Sequence, residues 1–357
     1  MESKKVLVGM SGGVDSAVSA LLLKEAGYAP IGVNCRFFDN EDVFRSEKTC
    51  CSLEDAEDAR SVAAKLGIPF YVFNLKDTFR SRVIDRFVET YIAGGTPNPC
   101  IDCNRYLKFG KLLQRAQELG ASAVATGHYA LVSFDSGSGR YLLRKGADET
   151  KDQSYVLYCL TQNQLAHTLF PLGGMKKSEV RALAEENGFL NAKKHESQDI
   201  CFVPDGDYAA FIEKRTGRSF PHGDFVAKDG RVLGEHKGII RYTIGQRRGL
   251  GLALPAPLYV CRKDVEKNRV VLCSNEELFA KELYADDVNL IALDRITAPL
   301  RVKAKVRYKQ PEQWATVFQP EEDLLHVVFD EPQRAFAKGQ AVVLYDGDIV
   351  VGGGTIR

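Results

Sequence analysis

The chain has 357 residues, 45% of them hydrophobic and 27% charged, with a formal net charge of +1 at pH 7. That length accommodates two to three domains with sizeable cores, and the near-neutral balance means any nucleic-acid partner has to be met by a local basic patch. No run approaches the ~18 uninterrupted apolar residues of a membrane span. Met1–Lys5 lead straight into an apolar strand, without the h-region of a signal peptide or an Arg/Ser-rich transit segment, so a cytoplasmic protein with no membrane partner is expected. Nine cysteines in that setting point to metal, redox or nucleophilic chemistry at some positions rather than to a disulfide framework.

Val6-Leu7-Val8-Gly9-Met10 is continuously apolar, as in a strand buried on both faces, and Val14 to Ala26 carries apolar residues at helical spacing. A second strand (Pro30 to Val33) precedes a helix from Leu53 to Leu66, with Ser52 as its N-cap. A third strand (Pro69 to Phe73) leads into a helix over Phe79 to Tyr91, and a helix over Leu107 to Leu119 precedes the strand Ala121 to Thr126. This alternation predicts a doubly wound parallel α/β domain. Leu131 to Arg144 reads as a hairpin through Asp135-Ser136-Gly137-Ser138-Gly139, followed by helices over Gln162 to Leu169 and Lys177 to Asn187. From about Gly217 onward, Gly, Pro and short alternating runs such as Leu258-Tyr259-Val260 and Arg301 to Val306 predict small β domains. The expected division is 1–205, the α/β domain; 206–280, a small β-rich domain; and 281–357, a second β domain.

Between the first strand and helix stands Ser11-Gly12-Gly13-Val14-Asp15-Ser16. A glycine pair there lets backbone approach a polyphosphate, and the following helix aims free N–H groups at the anion. Ser11 and Ser16 add hydroxyl donors, and Asp15 makes sense as a holder of Mg²⁺. Neither a Walker A ending nor Gly-x-Gly-x-x-Gly is present. The loop resembles that of the PP-loop ATP pyrophosphatases, a likeness that implies cleavage of ATP between its α and β phosphates to adenylate a carbonyl oxygen.

Pro97-Asn98-Pro99-Cys100-Ile101-Asp102-Cys103 places a Cys-x-x-Cys pair at a helix entry, where N–H groups lower a thiol's pKa, and Cys201 lies in Gln198-Asp199-Ile200-Cys201-Phe202. The ordered set of Gly9 to Ser16, Gly95 to Pro99, Cys103, Thr126-Gly127-His128-Tyr129, Lys151-Asp152-Gln153-Ser154-Tyr155, Ile200 to Phe202 and Tyr242 to Gly249 resembles the bacterial tRNA 2-thiouridylase (MnmA) family across essentially the whole chain. The resemblance implies a PP-loop domain, a small central domain and a C-terminal barrel that grips the anticodon stem-loop. It also implies replacement by sulfur of the C2 oxygen of wobble uridine 34 in the tRNAs for Lys, Glu and Gln. A uracil oxygen leaves poorly, so activation by ATP before attack by sulfur is chemically apt.

Residue by residue, the resemblance gives Gly9, Met10, Ser11, Gly12, Gly13, Val14, Asp15, Ser16, Cys35 and Gly127 to ATP. It makes Cys201 the persulfide carrier and Cys103 the partner that releases sulfide or closes a disulfide with it. Asn98, Pro99 and Cys100 meet the target base, and His128, Lys151, Asp152, Gln153, Arg307, Tyr308 and Gln340 contact tRNA. The sulfur donor is a cysteine desulfurase or a relay protein, and the enzyme works as a monomer on one tRNA.

Position 100 departs from the family pattern, being Cys where Asp is usual. Two routes stay open: a cluster-free persulfide, or a [4Fe–4S] cluster on Cys100, Cys103 and Cys201 whose fourth iron binds sulfide. Structural zinc lacks an obvious fourth ligand. Cys50 and Cys51 read as packing and capping residues, and Cys35, Cys159, Cys261 and Cys273 lie in apolar runs that read as core. Two rival functions are a PP-loop amide synthetase acting on a carboxylate, and a non-catalytic tRNA-binding protein with a vestigial loop.

Overall fold

The computed structural model describes residues 3–38, 53–192, 194 and 200–357, so Cys50, Cys51 and the expected N-cap Ser52 lie outside the described residues. The first domain is built on a parallel sheet of β1 (Lys5–Gly9), β2 (Ala29–Arg36), β3 (Phe70–Asn74), β4 (Ala123–Ala125) and a short β7 (Thr168–Leu169), in the order β3-β2-β1-β4-β7. Val6, Leu7 and Val8 of β1 are all apolar because both its faces are covered. Val6 and Val8 pack with α1 (Val14–Glu25) and α2 (Leu53–Leu66), whereas Leu7 points the other way, onto Leu112, Leu113 and Ala116. Two long helices, α3 (76–92) and α4 (99–118), each contain a π-helical stretch, Arg80–Ile84 and Cys103–Lys111.

Three local expectations are corrected. The helix expected from Leu107 begins at Pro99, whose missing N–H is harmless in a first turn, so Cys100 and Cys103 both ride on α4. The helix expected over Gln162 to Leu169 ends at Ala166, and Thr168–Leu169 becomes the fifth parallel strand. A helix at Tyr208–Thr216, closed by Gly217 at φ +65, has no counterpart in the sequence reading.

The expected hairpin forms as β5 (Ala130–Asp135) and β6 (Arg140–Lys145), but it does not stay with the first domain. A central four-stranded sheet comprises β8 (Gly223–Ala227), β9 (Val232–His236), β10 (Tyr259–Asp264) and β11 (Arg269–Cys273), ordered β10-β11-β8-β9. The last sheet comprises β12 (Phe279–Leu290), β13 (Leu300–Lys305), β14 (Gln313–Glu321), β15 (Leu324–Arg334), β16 (Ala341–Asp346) and β17 (Ile349–Ile356). Pairing of β12 with β17 closes these six into a barrel, and β6 joins β17 through Ile349 opposite Arg144. Tyr155 and Tyr158 pack with Tyr345 of the barrel in one buried cluster. The hairpin therefore fastens the first domain to the third, and the turn holding Lys151, Asp152 and Gln153 sits at that junction. No described helix is long and apolar enough to cross a membrane.

Candidate nucleotide and sulfur-transfer site

The loop leaves β1 with its backbone already ordered: Met10 N–H donates to Val33 O at 2.7 Å and Asn34 Nδ2 to Met10 O at 3.0 Å. Gly12 takes φ +79, and a Cβ there would stand 2.3 Å from Asp55 O, so a side chain is refused on two grounds. Asn191 Nδ2 donates to Gly12 O at 2.8 Å, Ser11 N–H donates to Ser16 Oγ at 3.2 Å, and Ser16 Oγ–H donates to Gly13 O at 2.9 Å. Gly13 is the N-cap of the 12-residue α1, and no side chain caps it. The first N–H groups of the helix thus face the cleft with their positive dipole end, an arrangement that suits phosphate.

That cleft is lined by Gly9, Met10, Ser11, Asp15, Ser16, Cys35 and Gly127 from the expected ATP set, while Gly12, Gly13 and Val14 make its turn. Gly127 is required by proximity: a Cβ on it would come within 2.8 Å of the Asp15 backbone carbon. Desolvation pushes the Cys35 thiol up to about 12, so it lines the cleft as a neutral group. His128 and Gln153, expected on tRNA, also line the cleft. His128 is 7% exposed and shares a 2.7 Å hydrogen bond with Thr126. Burial first, and Lys108 second, hold its pKa well below 6.5, so the imidazole is neutral.

Three residues escaped the sequence reading. Lys108 is the one lysine or arginine lining the cleft among the described residues. It lies five residues after Cys103, close to one turn of the π-helical stretch, so both point toward the same side of α4. Lys177 reaches back from the first turn of α5 (Lys177–Glu186) and binds both oxygens of Asp15, at 2.6 and 2.7 Å, while Tyr129 Oη–H donates to Asp15 Oδ1 at 2.8 Å. The carboxylate expected to hold Mg²⁺ is therefore engaged within the protein. The third is Asp102, between the two cysteines. Burial raises its carboxyl to about 6 against the opposing pull of Arg86 and Arg105.

Cys103 is 8% exposed and belongs to an apolar cluster with Phe79, Val83, Leu107 and Phe202, and Cys201 packs against that same cluster. Cys100 is exposed on the first turn of α4. The fold thus sets Cys103 and Cys201 against the same apolar cluster from positions about a hundred residues apart in sequence. It does not gather all three: among the described residues no trio of His, Cys, Asp or Glu forms a metal-holding group, so these positions do not fit a cluster in this conformation. Cys159 and Cys273 are raised to about 12 by burial, as core thiols should be.

The remaining expected tRNA residues make internal contacts. Asp152 Oδ1 accepts from Gly146 N–H and Ser154 N–H, both at 3.1 Å, and Tyr308 Oη–H donates to Asp152 O at 3.0 Å. Arg307 donates to Ala335 O at 2.7 Å, and Gln340 Nε2 donates to Thr96 O at 3.1 Å. Lys151 and Asn98 are partly exposed.

An open helix N-terminus over a parallel sheet, a Ser-Gly-Gly-x-Asp-Ser loop and a thiol-bearing helix beside it define an α/β nucleotide-dependent enzyme of the PP-loop class. Family models agree along the chain: "tRNA methyl transferase HUP domain" matches residues 4–205, "tRNA methyl transferase PRC-barrel domain" 209–274, and "Aminomethyltransferase beta-barrel domain" 280–356. The tRNA-specific 2-thiouridylase MnmA of Clostridioides difficile (strain 630) is 51% identical over 99% of this chain and 98% of its own length. MnmA of Acetivibrio thermocellus is 51% identical over 100% of both chains, and MnmA 1 of Thermoanaerobacter sp. (strain X514) is 53% identical over 100% of this chain and 98% of its own. The chain belongs to the MnmA family of tRNA-specific 2-thiouridylases.

Proposed function

We propose that this enzyme uses ATP to activate the C2 oxygen of wobble uridine 34 in the tRNAs for Lys, Glu and Gln and replaces that oxygen with sulfur. The observation that carries the reading is the joint placement of an uncapped helix N-terminus, Lys108 at the cleft, and Cys103 and Cys201 against one cluster. The uridine oxygen attacks the α-phosphorus, the bond to the bridging oxygen breaks, and pyrophosphate leaves. Lys108 and the first N–H groups of α1 stabilise the charge that gathers on the phosphate oxygens. Mg²⁺, which neutralises the triphosphate, would be held by Asp15 once Lys177 turns from that carboxylate to the phosphates.

Cys201 carries the incoming sulfur as a persulfide from a cysteine desulfurase or relay protein. Its terminal sulfur attacks C2 and AMP departs. The Cys103 thiolate then attacks Cys201 Sγ, closing a Cys103–Cys201 disulfide and freeing 2-thiouridine, and an external thiol reduces the pair. Asn98, Pro99 and Cys100 face the target base at the start of α4, where an unpaired anticodon nucleotide can be splayed out and read. Lys151, Asp152, Gln153, Arg307 and Tyr308 form the RNA-facing rim, His128 lies behind it at the nucleotide, and one monomer serves one tRNA. No step is assigned to an iron–sulfur cluster.

Mass spectrometry of wobble uridine after incubation with tRNA, ATP, Mg²⁺ and a persulfide donor tests the reading. A mass gain of one sulfur for one oxygen, absent without ATP, is expected; AMP formation on a carboxylate without tRNA would instead favour the amide synthetase. Protein purified without oxygen is expected to be colourless, iron-free and active with that donor. Activity strictly dependent on bound iron would restore the cluster. Lys108→Met is expected to slow tRNA-dependent pyrophosphate release by about 10²-fold, the scale of losing one preorganised electrostatic contact.

A further inference from the structure

The segment that presents the target base cannot fix its own shape. Gly94-Gly95-Thr96-Pro97-Asn98-Pro99 has two glycines, one of them at φ +82, and two prolines without an N–H. Its hydroxyl-bearing residue, Thr96, has Oγ1 buried with no hydrogen-bond partner, so that side chain adds no order to the segment. Its position has to be imposed by neighbours.

Gly94 and Gly95 donate their N–H groups to Tyr91 O and Thr90 O at the end of α3, and beyond that anchor the neighbours come from the other two domains. Lys263 of β10, in the central domain, donates from Nζ to Gly95 O at 3.3 Å and lies 5.9 Å from the Tyr91 ring centroid. The barrel approaches from another side: Thr96 N–H donates to Lys338 O at 2.7 Å, and Gln340 Nε2 donates to Thr96 O at 3.1 Å and to Pro97 O at 3.4 Å. Gly339, at φ +88, has no room for a Cβ, which would stand 2.8 Å from Thr90 Cγ2. Further along α4, Arg105 is ion-paired with Asp287 of the barrel. No carboxylate pairs with Lys263 among the described residues, and desolvation alone lowers its pKa, to about 8. An ammonium held against a backbone carbonyl at such a cost is poorly explained by stability.

We propose that Lys263 and Gln340 are positioning residues that hold the backbone of Gly95 to Pro97, so that the central domain and the barrel set the placement of Asn98, Cys100 and Cys103 for thiolation. The inference rests on the function proposed above. Because α4 starts at Pro99, a shift of the preceding backbone moves the target-base contact and both thiols together, and misplacement of about 1 Å is enough to cost ~10²-fold in rate. Gln340 acts here through the backbone that it holds at Thr96 and Pro97.

Lys263→Met, Lys263→Arg and Gln340→Leu in the full-length chain provide the test, with wild type alongside. Measured quantities are kcat and KM for tRNA, Kd for ATP, the melting temperature, and the rates at which iodoacetamide alkylates Cys100 and Cys103. For Lys263→Met and Gln340→Leu the expected result is a fall in kcat of about tenfold or more, with KM and ATP Kd within twofold. Cysteine alkylation should shift at least threefold, the melting temperature should be unchanged or higher for Lys263→Met, and Lys263→Arg should recover most of kcat. A rise in KM with kcat intact would make these residues RNA contacts and overturn the proposal. So would unchanged kcat, or a lowered melting temperature that accounts for the lost rate. If wild-type protein fails to thiolate tRNA, the functional reading falls, and the alkylation rates decide positioning without RNA: unchanged rates overturn it.

Discussion

Replacing Cys201 by alanine is expected to abolish 2-thiouridine formation, by about 10³-fold or more, while tRNA-dependent pyrophosphate release continues near the wild-type rate. The two halves of the reaction are carried by different parts of the fold. Activation belongs to the loop, α1 and Lys108, whereas Cys103 belongs to the apolar cluster that holds Phe79 and Phe202, and Cys201 packs against that cluster. Two buried thiols are poor substitutes: Cys35 lines the cleft but is pushed up to about 12 by burial, and Cys159 likewise. Cys103→Ser is expected to lose product turnover too, but to trap sulfur covalently between Cys201 and tRNA, since nothing then attacks Cys201 Sγ. Mass spectrometry of wobble uridine, pyrophosphate release and non-reducing electrophoresis of the tRNA adduct separate the cases. Loss of pyrophosphate release in Cys201→Ala would show that activation needs the thiol and would undo this division.

Gly12→Ala should weaken ATP binding by about 10- to 100-fold. A left-handed backbone at φ +79 costs a non-glycine residue about 1–3 kcal/mol, and about 1.4 kcal/mol corresponds to tenfold in affinity. The steric term is added to this, because Asp55 O stands 2.3 Å from the new Cβ and belongs to backbone, which cannot swing aside as a side chain would. Gly27→Ala is the control. It carries the same φ cost at +83 with nothing within 4 Å of its Cβ, on the far end of α1, and is expected to leave ATP affinity unchanged. Equal losses from both substitutions in an ATP titration would assign the effect to general destabilisation.

The α/β rhythm was legible because β1 is apolar on both faces and α1 follows a glycine turn, both consequences of local sequence. The start of α4 was misjudged since Pro97 and Pro99 resemble a break, although Pro99 occupies a first turn, where proline costs nothing. Thr168–Leu169 was lost in a helical pattern because two residues are too few to show period two; only pairing with β4 makes them a strand. The Leu131 to Arg144 hairpin was found, but no feature of it announces that it pairs with β17 from the opposite end of the chain.

What the sequence by itself determined is the activation chemistry: Ser11 to Ser16 requires glycines, hydroxyls and an acid in immediate succession, so its meaning survives without neighbours. The tertiary structure alone decided which distant groups complete it. Lys177 closes on Asp15 and Asn191 on Gly12 O, Cys201 reaches the Cys103 cluster, and Lys263 with Gln340 grips the segment before α4. Each of these joins residues far apart in the chain, and the contact is fixed by how sheets and helices pack, for which no local spacing exists. Gln340 carries the lesson most plainly: a polar residue near the chain's end says nothing of its target, and packing turns its amide onto Thr96 and Pro97.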